Sequence, residues 1–193
     1  MKKFNGFESK IMGDFEQLPV GGYICEIKNA EVIQNRNGGE RMEIAIDIAE
    51  GDQRGFYTKQ YKEDTREDKK WRGKYVLFLP RDDGSQEDGW AKNRFNNAIG
   101  CIEDANDGYH WDWDEKKLRG KKIALVFRRE EYRKTDGSGT GWTVKPFKAI
   151  SIGNCRDGKW GKYEDKPLSD HYTSASAPQF SDAGVDPLDD LPF

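Results

Sequence analysis

The sequence predicts a mainly β protein: a five-stranded Greek-key barrel of the OB-fold kind, carrying one helix and a disordered acidic C-terminal tail. Three observations predict it. Period-two alternation of apolar residues recurs in short segments bounded by Asn- and Gly-rich turns. One stretch of helical periodicity stands between the earlier and the later strands. A long glycine-rich hairpin then closes the folded part, after which the composition shifts to Ser, Ala, Pro and Asp. Three strands, an inserted segment, a helix and a closing hairpin are the element order of such a barrel.

Residues 1–17 are polar with scattered apolar anchors and predict an extension packed on the barrel. The barrel domain spans 18–161. Its first strand carries Tyr23, Cys25 and Ile27 on one face and Ile24, Glu26 and Lys28 on the other. Asn35 to Gly39 supplies the turn residues of a hairpin. The second strand sets Met42, Ile44, Ile46 and Ile48 against Arg41, Glu43, Ala45 and Asp47. A third strand is predicted over Phe56–Tyr61, since Tyr57, Lys59 and Tyr61 alternate. Tyr75–Leu79 is a short β-rich run inside the inserted segment. Phe95, Ala98, Ile99 and Ile102 fall at i, i+3, i+4 and i+7 and predict a helix over Ala91–Ile102. Strands over Lys121–Arg133 and Trp142–Ile152 form the last hairpin, joined by the glycine-rich loop 135–141.

Composition limits the function classes. Hydrophobic and charged residues each make up 35% of the 193 residues, so the core is small. The net charge is −3, but it is unevenly spread: residues 167–193 hold five of the 35 acids and none of the 32 Lys and Arg. The body is therefore mildly basic and the tail acidic, and a charged face can exist despite the total. Three widely spaced cysteines without a C-x-x-C predict free thiols in a reducing cytoplasm, with no zinc site. The opening residues do not form a signal peptide, and no apolar run is long enough to span a membrane.

Catalytic chemistry finds no support. Gly137-x-Gly139-x-Gly141 lacks the Gly-Lys-Ser/Thr of a phosphate loop. The acidic stretch from Asp104 to Glu115 misses the calcium-loop register, with glycine at the fifth position when Asp104 is the first. His110 and His171 have no visible nucleophile beside them. A non-enzymatic protein without metal or cofactor is the expectation.

Three places interleave rings with cations, as a cationic groove with aromatic platforms requires. One holds Tyr57, Lys59, Tyr61 and Lys62, and a second is centred on Trp71. The third is the long hairpin, with Arg128, Arg129, Tyr132, Arg133, Lys134, Trp142, Lys145, Phe147 and Lys148. Large rings also serve as core, and Phe147 fits either role.

Residues 162–185 read as a flexible linker, and 186–193 as an acidic tip in which Asp186, Asp189 and Asp190 precede Leu191-Pro192-Phe193. The Asp189-Asp190-Leu191-Pro192-Phe193 ending resembles the tip of bacterial and phage single-stranded DNA-binding proteins. The opening Leu-Pro-x-Gly-x-Tyr strand and Leu118 to Lys122 are similar to a phage family of the same kind. The resemblance implies single-stranded DNA as ligand in phage DNA replication, recombination and repair, with replication and recombination proteins recruited by Asp186, Asp189, Asp190, Leu191, Pro192 and Phe193. Self-association into a homo-oligomer stays open. The alternative is an OB-like interaction adaptor that binds no nucleic acid.

Overall fold

The computed structural model describes residues 16–35, 38–135 and 137–168. The predicted N-terminal extension up to residue 15, most of the linker and the whole acidic tip lie outside the described residues. Five antiparallel strands make one sheet: β1 (Gly21–Gln34), β2 (Glu40–Ile48), β3 (Lys74–Phe78), β4 (Lys122–Arg133) and β5 (Thr140–Ile150). Three helices accompany them: α1 (Phe56–Glu63), α2 (Gln86–Ala105) and the short α3 (Ile152–Arg156), with a 3-10 turn at Glu115–Leu118.

The spatial order is β3-β2-β1-β4-β5, so β3 and β5 are the two edges of an open sheet. This corrects the expected closed OB barrel. The physical reason lies on β5. Its Phe147 carbonyl accepts from the Arg94 guanidinium at 2.8 Å, and its Ala149 carbonyl accepts from the Asn97 amide at 2.9 Å. Side chains of α2 thus take the acceptors that a closing strand would need.

β1 is the hub. It pairs with β2 from Cys25↔Ile48 to Gln34↔Glu40, shifting register between Ile27 and Asn29. On its other side it pairs with β4 from Gly21↔Phe127 to Glu26↔Lys122. Beyond Phe127, β4 has β5 as its strand partner and the two run on as a projecting hairpin, ending at Arg133↔Thr140.

The main core lies on one face of the sheet. Ile27, Ile44, Ile46, Leu77, Ile123, Leu125 and Phe127 meet Phe95, Ala98, Ile99 and Ile102 of α2 there. The predicted helical stripe is the buried one, while the helix itself runs longer in both directions. Ser85 accepts from the Asp88 amide at 3.1 Å to start it. The second face is covered more thinly by α3, where Cys155 packs with Ile24 and Ala124.

The predicted third strand is a helix. Gly51 and Gly55 take positive φ and turn the chain over. Asp47 of β2 then captures the start of α1. Its carboxylate accepts from the Tyr57 amide at 2.9 Å, from the Thr58 amide at 3.2 Å and from the Thr58 hydroxyl, besides the Ile48 amide at 2.9 Å. A helix opens with unpaired N–H groups that need acceptors, and here the acceptor comes from the sheet. The third strand of the sheet is Lys74–Phe78, near the short run expected from Tyr75.

Removing this capture exposes its size. Asp47→Ala leaves buried donors without acceptors, each costing about 1–3 kcal/mol, in addition to a lost cap of about 1 kcal/mol. Urea unfolding is expected to show a loss of about 2–4 kcal/mol; a change under 1 kcal/mol would mean that α1 holds without it.

Candidate functional site

Where the hairpin leaves β1, β5 faces α1 across a cleft of about 540 Å³. Leu18, Phe56, Tyr57, Tyr132, Trp142 and Val144 supply its apolar lining, and Glu16, Gln17, Gln60, Arg72, Thr143 and Lys145 its polar one. α1 offers Phe56, Tyr57 and Gln60 together because Gln60 stands four residues after Phe56 and three after Tyr57, the helical spacings that make side chains neighbours. Behind them sits Trp71, 2% exposed, with Tyr57 and Tyr61 rings at 6.4 and 5.9 Å. The Trp71 indole N–H lies between the carbonyls of Ile46 (3.2 Å) and Gly73 (3.1 Å). Gly73 is required there: a Cβ would lie 2.3 Å from the Ile46 carbonyl oxygen. Burial pushes the Tyr57 hydroxyl well above the usual tyrosine range, so it stays protonated.

The charges are arranged around this floor. Asp64, buried at the end of α1, takes the Arg66 guanidinium at 2.6 Å and lies 3.8 Å from that of Arg72. The hydrogen bonds from Arg66 hold the Asp64 carboxyl down at about 2. Lys59 lies 3.9 Å from Glu16 at the rim. Lys145 is exposed on β5 and makes no ion pair with another described residue.

The structure separates the sequence-predicted residues. Tyr57 and Trp71 belong to the core. Tyr61 is half-buried, with the Lys69 ammonium 4.6 Å from its ring centroid. Lys59 and Lys62 are exposed on α1. Of the hairpin residues, Tyr132, Trp142 and Lys145 reach the cleft. Arg129 covers the Trp142 ring at 5.1 Å and also pairs with Asp165 at 3.2 Å. Arg128 covers the Phe147 ring at 4.3 Å and pairs with Glu130 at 3.0 Å. The Phe147 and Tyr163 rings form a T-shaped pair with centroids 4.7 Å apart, beside Lys148. Arg133 and Lys134 stand exposed at the hairpin tip. The cleft residues Leu18, Phe56, Gln60 and Val144 escape the search for ring-and-cation runs, while Arg72 stands in the run around Trp71 without being singled out from it. The signal for two of them is the helical spacing of Phe56, Tyr57 and Gln60, which competes with the strand-like alternation.

The chain matches no protein-family model and no curated protein. That overturns the expected kinship with single-stranded DNA-binding proteins, and the structure removes its physical basis. The sheet is open rather than a barrel. Of the rings expected to form an exposed stacking surface, Tyr57 and Trp71 are in the core, Tyr61, Trp142 and Phe147 are covered by their own chain's cations, and Tyr132 alone is left exposed, at the cleft. Coating of single-stranded DNA, the OB-like adaptor, the phage setting, the recruitment of replication and recombination proteins and the homo-oligomer are withdrawn with it. Among the described residues no group of three or more His, Cys, Asp or Glu is placed to hold a metal, and no helix is long and apolar enough to cross a membrane.

The Asp64 arrangement gives a pH signature. A carboxylate held below its usual range stabilises the fold fully above pH 4, and that contribution vanishes as pH falls through about 2. Arg66 is half exposed, so solvent screening reduces the contribution to about 1 kcal/mol. Wild type should exceed Asp64→Asn in stability by that amount at pH 6, with the gap shrinking through pH 2 and closing below it. A constant gap in acid unfolding curves would refute the assignment.

Proposed function

We infer that this chain is a non-enzymatic binding protein whose cleft takes an amphipathic organic anion. An apolar or aromatic group of the ligand rests on the floor made by Phe56, Leu18, Val144 and Trp142. An acidic group of the ligand meets Lys145 and Arg72. The observation that carries this reading is the pairing of an apolar floor with a lysine, Lys145, that has no ion pair among the described residues. Few convergent polar groups over an apolar surface are the common build of a ligand site.

Binding rather than turnover is supported by what lines the cleft. Its carboxylate, Glu16, is 70% exposed and lies 3.9 Å from Lys59, and the lining brings no Cys or His together with a base. A cytoplasmic location suits Cys25, Cys101 and Cys155, which are buried and unpaired.

Titration with naphthalene-2-sulfonate, followed by tryptophan fluorescence, tests the reading. Saturable binding is expected, weaker for uncharged 2-naphthylmethanol. Trp142→Ala should weaken it about 3–10-fold, the scale of an aromatic contact. Lys145→Glu should weaken it about 2–5-fold, with the difference fading at high salt. Unchanged affinity in both variants would sink the proposal.

A further inference from the structure

We propose that the natural ligand of this cleft is an extended, acidic polypeptide segment, which adds to the edge of β5 as a further strand. This rests on the amphipathic-anion reading above and gives it a chemical class.

The backbone of the hairpin carries the inference. In an antiparallel pair the N–H and C=O of one residue point the same way, and successive residues alternate. The Arg129 carbonyl and the Glu131 amide both turn away from β5, since they bond the Lys166 amide and carbonyl at 2.9 Å each. Their partners across the ladder are Val144 and Trp142. Those two residues must therefore turn their backbone groups away from β4, toward the cleft. The Trp142 carbonyl does so, accepting from the Gln17 side chain at 3.0 Å.

Part of this edge is already satisfied. Gln17 takes Trp142, Arg94 takes Phe147 and Asn97 takes Ala149. The N–H and C=O of Val144 and the N–H of Trp142 make no such bond among the described residues. Open strand edges ordinarily carry such cover, because bare ones recruit other strands. The gap in the cover opens onto the cleft.

The opposite edge of the same hairpin shows that the mode works here. Lys166 already joins the outer edge of β4 as a one-residue parallel bridge, and Glu131 accepts from the Leu168 amide at 3.1 Å. A strand on the β5 side would point alternate side chains to the apolar floor and outward to Lys145. Arg133 and Lys134, exposed at the hairpin tip without ion pairs to described residues, extend the preference for acids. Main-chain bonds supply affinity in this mode and alternate pockets supply specificity.

The test uses the full chain and blocked hexapeptides that alternate acidic with aromatic or β-branched residues, such as acetyl-Glu-Phe-Glu-Val-Glu-Thr-amide. Binding is read by displacement of naphthalene-2-sulfonate. Two versions are N-methylated, one at the odd and one at the even residues. An added strand donates from alternate residues only. One version should therefore lose at least 10-fold in affinity while the other changes less than 3-fold. Val144→Pro removes an outward N–H on an edge strand, where proline is tolerated. It should cost the peptide at least five times more affinity than it costs naphthalene-2-sulfonate. Equal losses from both methylation patterns overturn the proposal, as do equal losses of peptide and sulfonate in Val144→Pro. Failure of every peptide at 1 mM while naphthalene-2-sulfonate still binds overturns it too, and leaves the amphipathic-anion reading standing. Failure of both probes removes both.

Discussion

The grip of Asp47 on the first turn of α1 is the interaction on which the rest of the site depends. A buried carboxylate in the middle of a sheet is costly unless every acceptor position is used. Here the Ile48, Tyr57 and Thr58 amides and the Thr58 hydroxyl use them. The bonds fix both where α1 begins and how it is rotated, which points Phe56 and Gln60 into the cleft. They also hold Tyr57 over Trp71, whose indole is in turn seated between carbonyls of β2 and of Gly73. The cleft wall is thus a stack anchored on β2: carboxylate, helix, rings. Loosening the first member moves every residue that a ligand would touch.

The second constraint is the treatment of the sheet's edges. β5 is half covered by polar side chains from α2 and half faced by the cleft. Arg94 and Asn97 do two things at once. They satisfy carbonyls that would otherwise be bare, and they keep β3 from closing the sheet. The proline in β5, Pro146, fits an edge position, where a missing donor is cheap. A closed barrel would have consumed the same backbone groups in the ladder and left no room between α1 and the hairpin.

Much of the fold was legible in the residues. The alternation Met42, Ile44, Ile46, Ile48 marks β2, and all four are buried. Ala45 and Asp47 are buried as well, because this inner strand is covered on both faces, and alternation alone cannot announce that. The α2 stripe of Phe95, Ala98, Ile99 and Ile102 was equally plain. Closure was not legible. An open sheet and a barrel share one element order, and the difference lies in which groups take the carbonyls of β5. The helix at Phe56 was hidden because six residues with rings at Tyr57 and Tyr61 satisfy a strand pattern and a helical one together. What decided it was Asp47, an aspartate ten residues upstream of Tyr57. Trp71 misled for a related reason: flanking lysines and Arg72 suggest a surface, yet a neighbouring glycine and two carbonyls make a buried seat.

The candidate site shows the same division. Tyr132, Trp142 and Lys145 could be picked out by residue type, while their partners on α1 could not, since those depend on an element the pattern misassigned. The rings and cations read as a binding surface turn out to serve each other. Arg128 lies on Phe147 and Arg129 on Trp142, and each arginine is also held by a carboxylate. Cations committed in this way stiffen the hairpin rather than wait for a ligand. A stiff hairpin keeps its far edge straight, and a straight edge presents Val144 and Trp142 at strand spacing. The feature that looked like chemistry in the sequence therefore acts as scaffold. The feature that carries the binding argument is backbone, which no residue-type motif can reveal.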